Sequence, residues 1–126
     1  MWRQLAGASL ASFAFLVMGS ALSGAKPGGG AELFLKRCGG CHALDRDKEG
    51  PRLAGVFGRP AGTVDSFPYS TALRNSKLTW TAEALEKWLA DPEKLVPGND
   101  MPFHVEKADE RSEIIDYLKE NSHPGM

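Results

Sequence analysis

Two kinds of apolar pattern divide the chain. Residues 5–22 are apolar or small throughout, richest at Phe13–Met18, with Arg3 the only charge before Lys26. Beyond Lys26 the apolar positions return in short stretches at helical spacing. Phe34, Cys38 and Cys41 fall at i, i+4 and i+7, predicting a helix from Ala31 to about Gly39. Leu85, Trp88 and Leu89 form the stripe of a second helix, which Thr81 caps and Pro92 stops after Asp91. Ile114, Tyr117 and Leu118 mark a last helix over Asp109–Glu120, with Asp109 and Glu110 favourable in its first turn. Ser70–Asn75 suggests a short helix, and no stretch alternates as a strand does. From Asp45 to Phe67 the chain is punctuated by Gly and Pro, a long loop of the kind usually kept for function.

A short basic start followed by an apolar run is the pattern of a secretory signal. Ser23-Gly24-Ala25 and Gly19-Ser20-Ala21 both place small residues at the −3 and −1 positions of a cleavage site. The uncharged stretch from Gln4 to Ala25 is also long enough to remain as an anchor. Either way the rest of the chain is expected outside the cytoplasm, in the periplasm, with membrane association through residues 5–25 in the anchored case. Residues 26–30 read as a Gly-rich spacer. About 100 residues follow, one domain's worth, taken as 31–122. A domain of that size buries little core unaided.

The chain's two cysteines stand in Cys38-Gly39-Gly40-Cys41-His42, the attachment signature of c-type haem. Two thiols at that spacing reach the two vinyl groups along one porphyrin edge, and the following imidazole is placed to bind the iron. Gly39 and Gly40 let the backbone lie close to the macrocycle. A thiol–disulfide pair would need a βαβ context that is not evident. Zinc would need four ligands, and only His104 and His123 remain to help. For a second axial ligand, Met1 and Met18 lie in the leader and Met126 ends the chain, which leaves Met101. It sits in a Pro- and Gly-punctuated loop, Val96–Phe103, suited to aiming a thioether at a metal. A gap-filling core methionine and ligation by His104 are the rival readings.

With these motifs in place the chain resembles the class I cytochromes c of the mitochondrial and alphaproteobacterial type, from Gly30 to Glu120. The likeness rests on Gly30 and Phe34, Gly50-Pro51-Arg52-Leu53, Phe57-Gly58-Arg59, Phe67-Pro68-Tyr69-Ser70, Pro97-Gly98-x-x-Met101 and Tyr117-Leu118. It implies an all-α cytochrome c fold of about three to five helices and long loops around one covalent haem c, with the terminal helices crossing. It implies that the Pro51 carbonyl orients His42, that Arg59, Tyr69 and Trp80 address the propionates, and that His42 and Met101 hold the iron. The function implied is one-electron transfer, without enzymatic activity, in a respiratory or photosynthetic chain. The donor would be a bc1-type complex or a dehydrogenase, and the acceptor a terminal oxidase or reaction centre. A membrane-held haem subunit of a larger oxidoreductase, and an open-iron sensor or peroxidase-like protein, are the alternatives.

The sequence departs from the family in four places. The loop between His42 and Gly50 is shorter than in the mitochondrial form. Trp88 stands where a tyrosine is common, Leu73 where an asparagine is common, and Asn99-Asp100 replaces Thr-Lys before the ligand. Loss of residues 1–25 removes Arg3 alone and leaves 14 basic against 16 acidic side chains, a net charge of −2. Residues 36–59 carry six basic groups against three acidic, and residues 83–120 five against eleven, an asymmetry able to steer docking. Nothing points to nucleic acid.

Overall fold

The computed structural model describes residues 29–122. The leader and possible anchor, the first part of the spacer and His123 lie outside the described residues. Among the described residues five helices follow one another: α1 (Gly29–Arg37), α2 (Thr71–Arg74), α3 (Ala82–Ala90), α4 (Pro92–Leu95) and α5 (Ala108–Glu120). No strand forms among the described residues; a lone antiparallel bridge joins Pro60 to Thr79. None of the helices is long and apolar enough to cross a membrane.

The frame is the crossing of α1 and α5, the most extensive helix contact, with α3 packed on α5. A Cβ at Gly30 would lie 2.9 Å from both the Glu113 carbonyl oxygen and the Tyr117 Cβ, so the helices approach this closely only because Gly30 has no side chain. This corrects the spacer boundary. Gly29 and Gly30 open α1 rather than ending a linker, because packing against α5 outweighs the intrinsic helix cost of glycine. Beside the crossing, the Phe34 and Tyr117 rings lie 5.3 Å apart. Arg37 binds the Glu110 carboxylate through two bonds of 2.8 and 3.0 Å. Ile114 and Val105 are the most deeply buried side chains, and Leu85, Trp88, Leu89 and Leu118 join them in the core.

Thr81 caps α3 as expected, its hydroxyl accepting from Ala84 N at 3.1 Å. Pro92 has a second role that the sequence reading did not assign. Asp91 closes α3 and its Oδ1 accepts from Lys94 N at 3.1 Å, capping α4 with Pro92 at the first helical position. Between Arg37 and Thr71 the chain runs without a helix, turning through Gly55, Gly58 and Gly62 at positive φ. Those turns carry residues 45–67 around one side of the core cavity.

Candidate functional site

α1 ends at Arg37, and the two cysteines belong to the turn that follows it rather than to a continued helical face. Cys38 N still donates to Phe34 O at 2.8 Å, and His42 N donates to Cys38 O at 2.8 Å, so the five-residue motif is folded by its own backbone. Gly39 is needed for a reason other than the one expected. Its Cβ would lie 2.6 Å from the Leu35 carbonyl oxygen, a clash inside the turn, whereas a Cβ at Gly40 would meet nothing. Neither cysteine takes part in a disulfide; Cys41 is exposed and Cys38 half-buried. Burial, and next the neighbouring Cys41, push the Cys38 thiol up to about 11.

His42 is oriented by a single strong bond. Its Nδ1 lies 2.7 Å from the Pro51 carbonyl oxygen. A carbonyl can only accept, so Nδ1 carries the proton and Nε2 keeps its lone pair. Burial holds the ring's pKa below the usual histidine value despite the Pro51 bond, and Lys48 pushes the same way. The ring is also braced from behind. A Cβ on Gly50 would come within 2.2 Å of His42 Cε1, so the backbone itself packs against the imidazole.

The Val96–Phe103 loop, which carries Met101, is pinned at three points. Asn99 donates through Nδ2 to Val96 O at 2.9 Å and accepts through Oδ1 from Met101 N at 2.7 Å. Gly98, at φ +85°, donates its N–H to the Glu93 carboxylate at 3.1 Å. Downstream, Val105 N bonds Leu89 O at 2.7 Å, and Arg111 gathers the Val105 and Glu106 carbonyls at 2.8 and 2.7 Å while pairing with Glu86 at 2.6 Å. Asn99 appeared in the sequence only as a departure from the family. Glu93 and Arg111 gave no signal there, because their role depends on loop conformation.

These segments enclose one cavity of about 910 Å³. Cys38, Cys41, His42, Pro51, Arg59, Tyr69, Trp80 and Met101 all line it, so the eight residues named from the sequence come together. His104 does not line it and stands exposed. The remaining wall is largely apolar, from Val56, Leu73, Leu85, Trp88, Leu89 and Ile114. Trp88 packs edge-on against Trp80 at 5.2 Å as a core aromatic. Leu73, at the asparagine position, is likewise buried.

The polar groups of the cavity are incompletely satisfied. Arg59 spans from Ala54 O (3.3 Å) to Arg52 O (3.2 Å) through its terminal nitrogens. Its Nε is the one buried side-chain polar atom without a partner among the described residues. Burial lowers its pKa from the usual guanidinium value, the mark of a cation set in a poorly solvated place. The Tyr69 hydroxyl accepts from Val64 N at 3.2 Å, which leaves its own proton to give. An apolar cavity with an orphaned cation, a free phenolic proton, an imidazole held through Nδ1 and a thioether fits a flat apolar group carrying carboxylates and a metal. Among the described residues no three His, Cys, Asp or Glu side chains gather as an alternative metal site.

Residues 29–122 match the model of the cytochrome c family. The chain belongs to that family. It is 44% identical over 94 residues to cytochrome c type-1 of Ascaris suum, covering 72% of this chain and 84% of that protein. It is 36% identical over 98 residues to cytochrome c of Ginkgo biloba, covering 75% and 87%. Among solved structures, cytochrome cH from Methylobacterium extorquens superposes with a TM-score of 0.69 at 40% identity, over 73% of this chain and 95% of that one. The expected fold is therefore the observed one. The chain is an electron carrier rather than an enzyme, and its cofactor is one covalently held haem c.

Proposed function

We propose that the chain shuttles single electrons in a respiratory or photosynthetic chain on the outer side of a bacterial inner membrane, through a haem held by Cys38, Cys41, His42 and Met101. Residues 1–25 are removed as a leader, and residues from about 29 to 122 form the carrier domain. When bound, the haem supplies an iron that changes oxidation state without exchanging atoms with a substrate. The chain's own residues set the terms. Cys38 and Cys41 would fasten the group, His42 would offer Nε2 to the metal while Pro51 holds Nδ1–H, and Met101 would close the remaining face with its sulphur. Arg59 Nε and the Tyr69 and Trp80 donors would take the propionates. A soft thioether and an apolar wall both favour the less charged ferrous state and raise the potential.

The observation that carries this reading is the convergence of all eight residues, from four separate segments, on one cavity. Its mouth supplies a docking edge, with Cys41 and Pro102 exposed and Phe103 40% exposed. Of the basic groups on residues 36–59, Arg37 is engaged with Glu110 and Lys48 with the Gly39 carbonyl at 2.7 Å. Lys36 and Lys48 border the cavity on one flank and Asp100 borders it within the distal loop, so a partner meets both signs of charge. A donor such as a bc1-type complex and an acceptor such as a terminal oxidase fit the reading. The test is to mix the reduced holoprotein with respiratory membranes. Oxygen-dependent reoxidation that requires the membranes supports the proposal, and equally fast reoxidation without them contradicts it. The uncharged stretch over residues 4–25 favours a tethered form as the second reading, and the intact mass of the mature protein separates the two.

A further inference from the structure

Two hydrogen bonds share one peptide group. The Pro51 carbonyl oxygen lies 2.7 Å from His42 Nδ1. The N–H of the same peptide, that of Arg52, donates to Asp47 Oδ1 at 2.9 Å. We infer that Asp47 acts on His42 through the Pro51–Arg52 peptide, and that this three-part relay lowers the reduction potential of the carrier. The inference rests on His42 being the proximal ligand.

The chemistry is that of a carboxylate behind a metal-bound histidine, with an amide interposed. An ionised acceptor on the N–H draws the peptide's charge toward its carbonyl oxygen, and hydrogen bonds in series strengthen one another. A more negative Pro51 oxygen pulls harder on the Nδ1 proton. The imidazole then carries more electron density and favours the more highly charged ferric iron. Asp47 is suited to stay ionised. The Ser66 hydroxyl donates to its Oδ2 at 2.5 Å, and this bond first, then the one from Arg52 N, hold its pKa below the usual carboxylate value. Arg52 Nη1 reaches Ser66 Oγ at 3.1 Å and closes the loop on itself. Asp47 and Glu49 both line the cavity, yet only Asp47 bonds the relay peptide.

The test is the reduction potential of the holoprotein and of three variants, at low salt and at about 1 M, where the screening length is about 3 Å. Asp47→Asn keeps an oxygen for the Arg52 N–H and removes the charge. Its potential should rise enough to change the ferric-to-ferrous ratio at least threefold at fixed ambient potential, about 28 mV at about 59 mV per decade, and the rise should survive high salt. Glu49→Gln removes a neighbouring carboxylate that touches no relay group, and should give a smaller rise that salt abolishes. Ser66→Ala removes the second bond to Asp47 and leaves the relay, so the potential should stay at the wild-type value. In nitrogen-labelled ferrous protein, the His42 ring N–H resonance should move upfield in Asp47→Asn alone. An unchanged potential in Asp47→Asn, a rise that fades with salt, or the same rise in Ser66→Ala would overturn the relay. A wild-type spectrum lacking histidine ligation would overturn the reading of His42 itself, whatever the variants do.

Discussion

Replacing Gly50 by alanine tests how tightly the backbone positions the His42 imidazole. A Cβ there would sit 2.2 Å from His42 Cε1 and 2.7 Å from each ring nitrogen. To restore an ordinary contact near 3.4 Å the ring must retreat by about 1.2 Å. That exceeds the interval of about 0.8 Å between the 2.7 Å bond to Pro51 and the loss of bonding near 3.5 Å, so a retreat along the bond takes Nδ1 off its acceptor. Overpacking of this kind costs about 1–3 kcal/mol and the lost hydrogen bond about 0.5–1.5 kcal/mol, together about 1.5–4.5 kcal/mol. With the urea slope usual for a domain of this size, the unfolding midpoint of the holoprotein should fall by roughly 1–2 M. With His42 as the proximal ligand, as proposed, the reduction potential should move with it. Glu49→Ala, next door and exposed, should stay within about 0.5 kcal/mol of wild type. A Gly50→Ala protein with the wild-type urea midpoint and potential would refute the claim that the Gly50 backbone braces His42.

Three further outcomes follow from the same contacts. Asn99→Ala removes the bonds to Val96 O and Met101 N, worth together about 1–3 kcal/mol, and should let carbon monoxide bind the reduced protein more readily than it binds wild type. The Arg37 bond, more than any other influence, depresses the Glu110 pKa, so its contribution is present above the unfolded carboxylate pKa of about 4.3 and is lost as pH falls through the lower folded value. Glu110→Gln should therefore flatten the acid limb of a plot of urea midpoint against pH and leave the slope above about pH 6 alone. Ile114→Ala, at a position with 0% exposure in the seam between α5 and the cavity, should cost about 2–5 kcal/mol in urea titration.

The sequence was most legible where local chemistry decides the outcome. Thr81 caps α3, Asp109 and Glu110 open α5, and the Gly- and Pro-rich stretch from Asp45 to Phe67 remains a loop, because each depends on residues within a few positions. The Asp91-Pro92 pair carried a second signal, cap followed by first helical position, that reading Pro92 as a stop concealed. Gly29 and Gly30 misled for a different reason. The place of Gly30 in α1 is set by its close approach to α5 at Glu113 and Tyr117, which no local rule can see. The same limit applies within the site. Motif and elimination single out His42 and Met101, and both line the cavity, but the Asn99 and Glu93 contacts that hold the Val96–Phe103 loop, and those of Arg111 just beyond it, arise only when the chain has folded. The link from Asp47 to Ser66 spans 19 residues and joins two irregular segments, so neither spacing nor composition marks it.

The central claim is that His42 and Met101 together close the iron of one covalently held haem, which makes the chain a carrier and excludes small ligands. The most direct measurement is the absorption spectrum of the matured protein, oxidised and reduced, with carbon monoxide added to the reduced form. The account predicts a weak far-red sulphur-to-iron band in the oxidised protein, lost in Met101→Ala, and no response of the reduced wild type to the gas. A missing band together with ready gas binding by the wild type would contradict it and would point to an open-iron sensor or peroxidase-like protein.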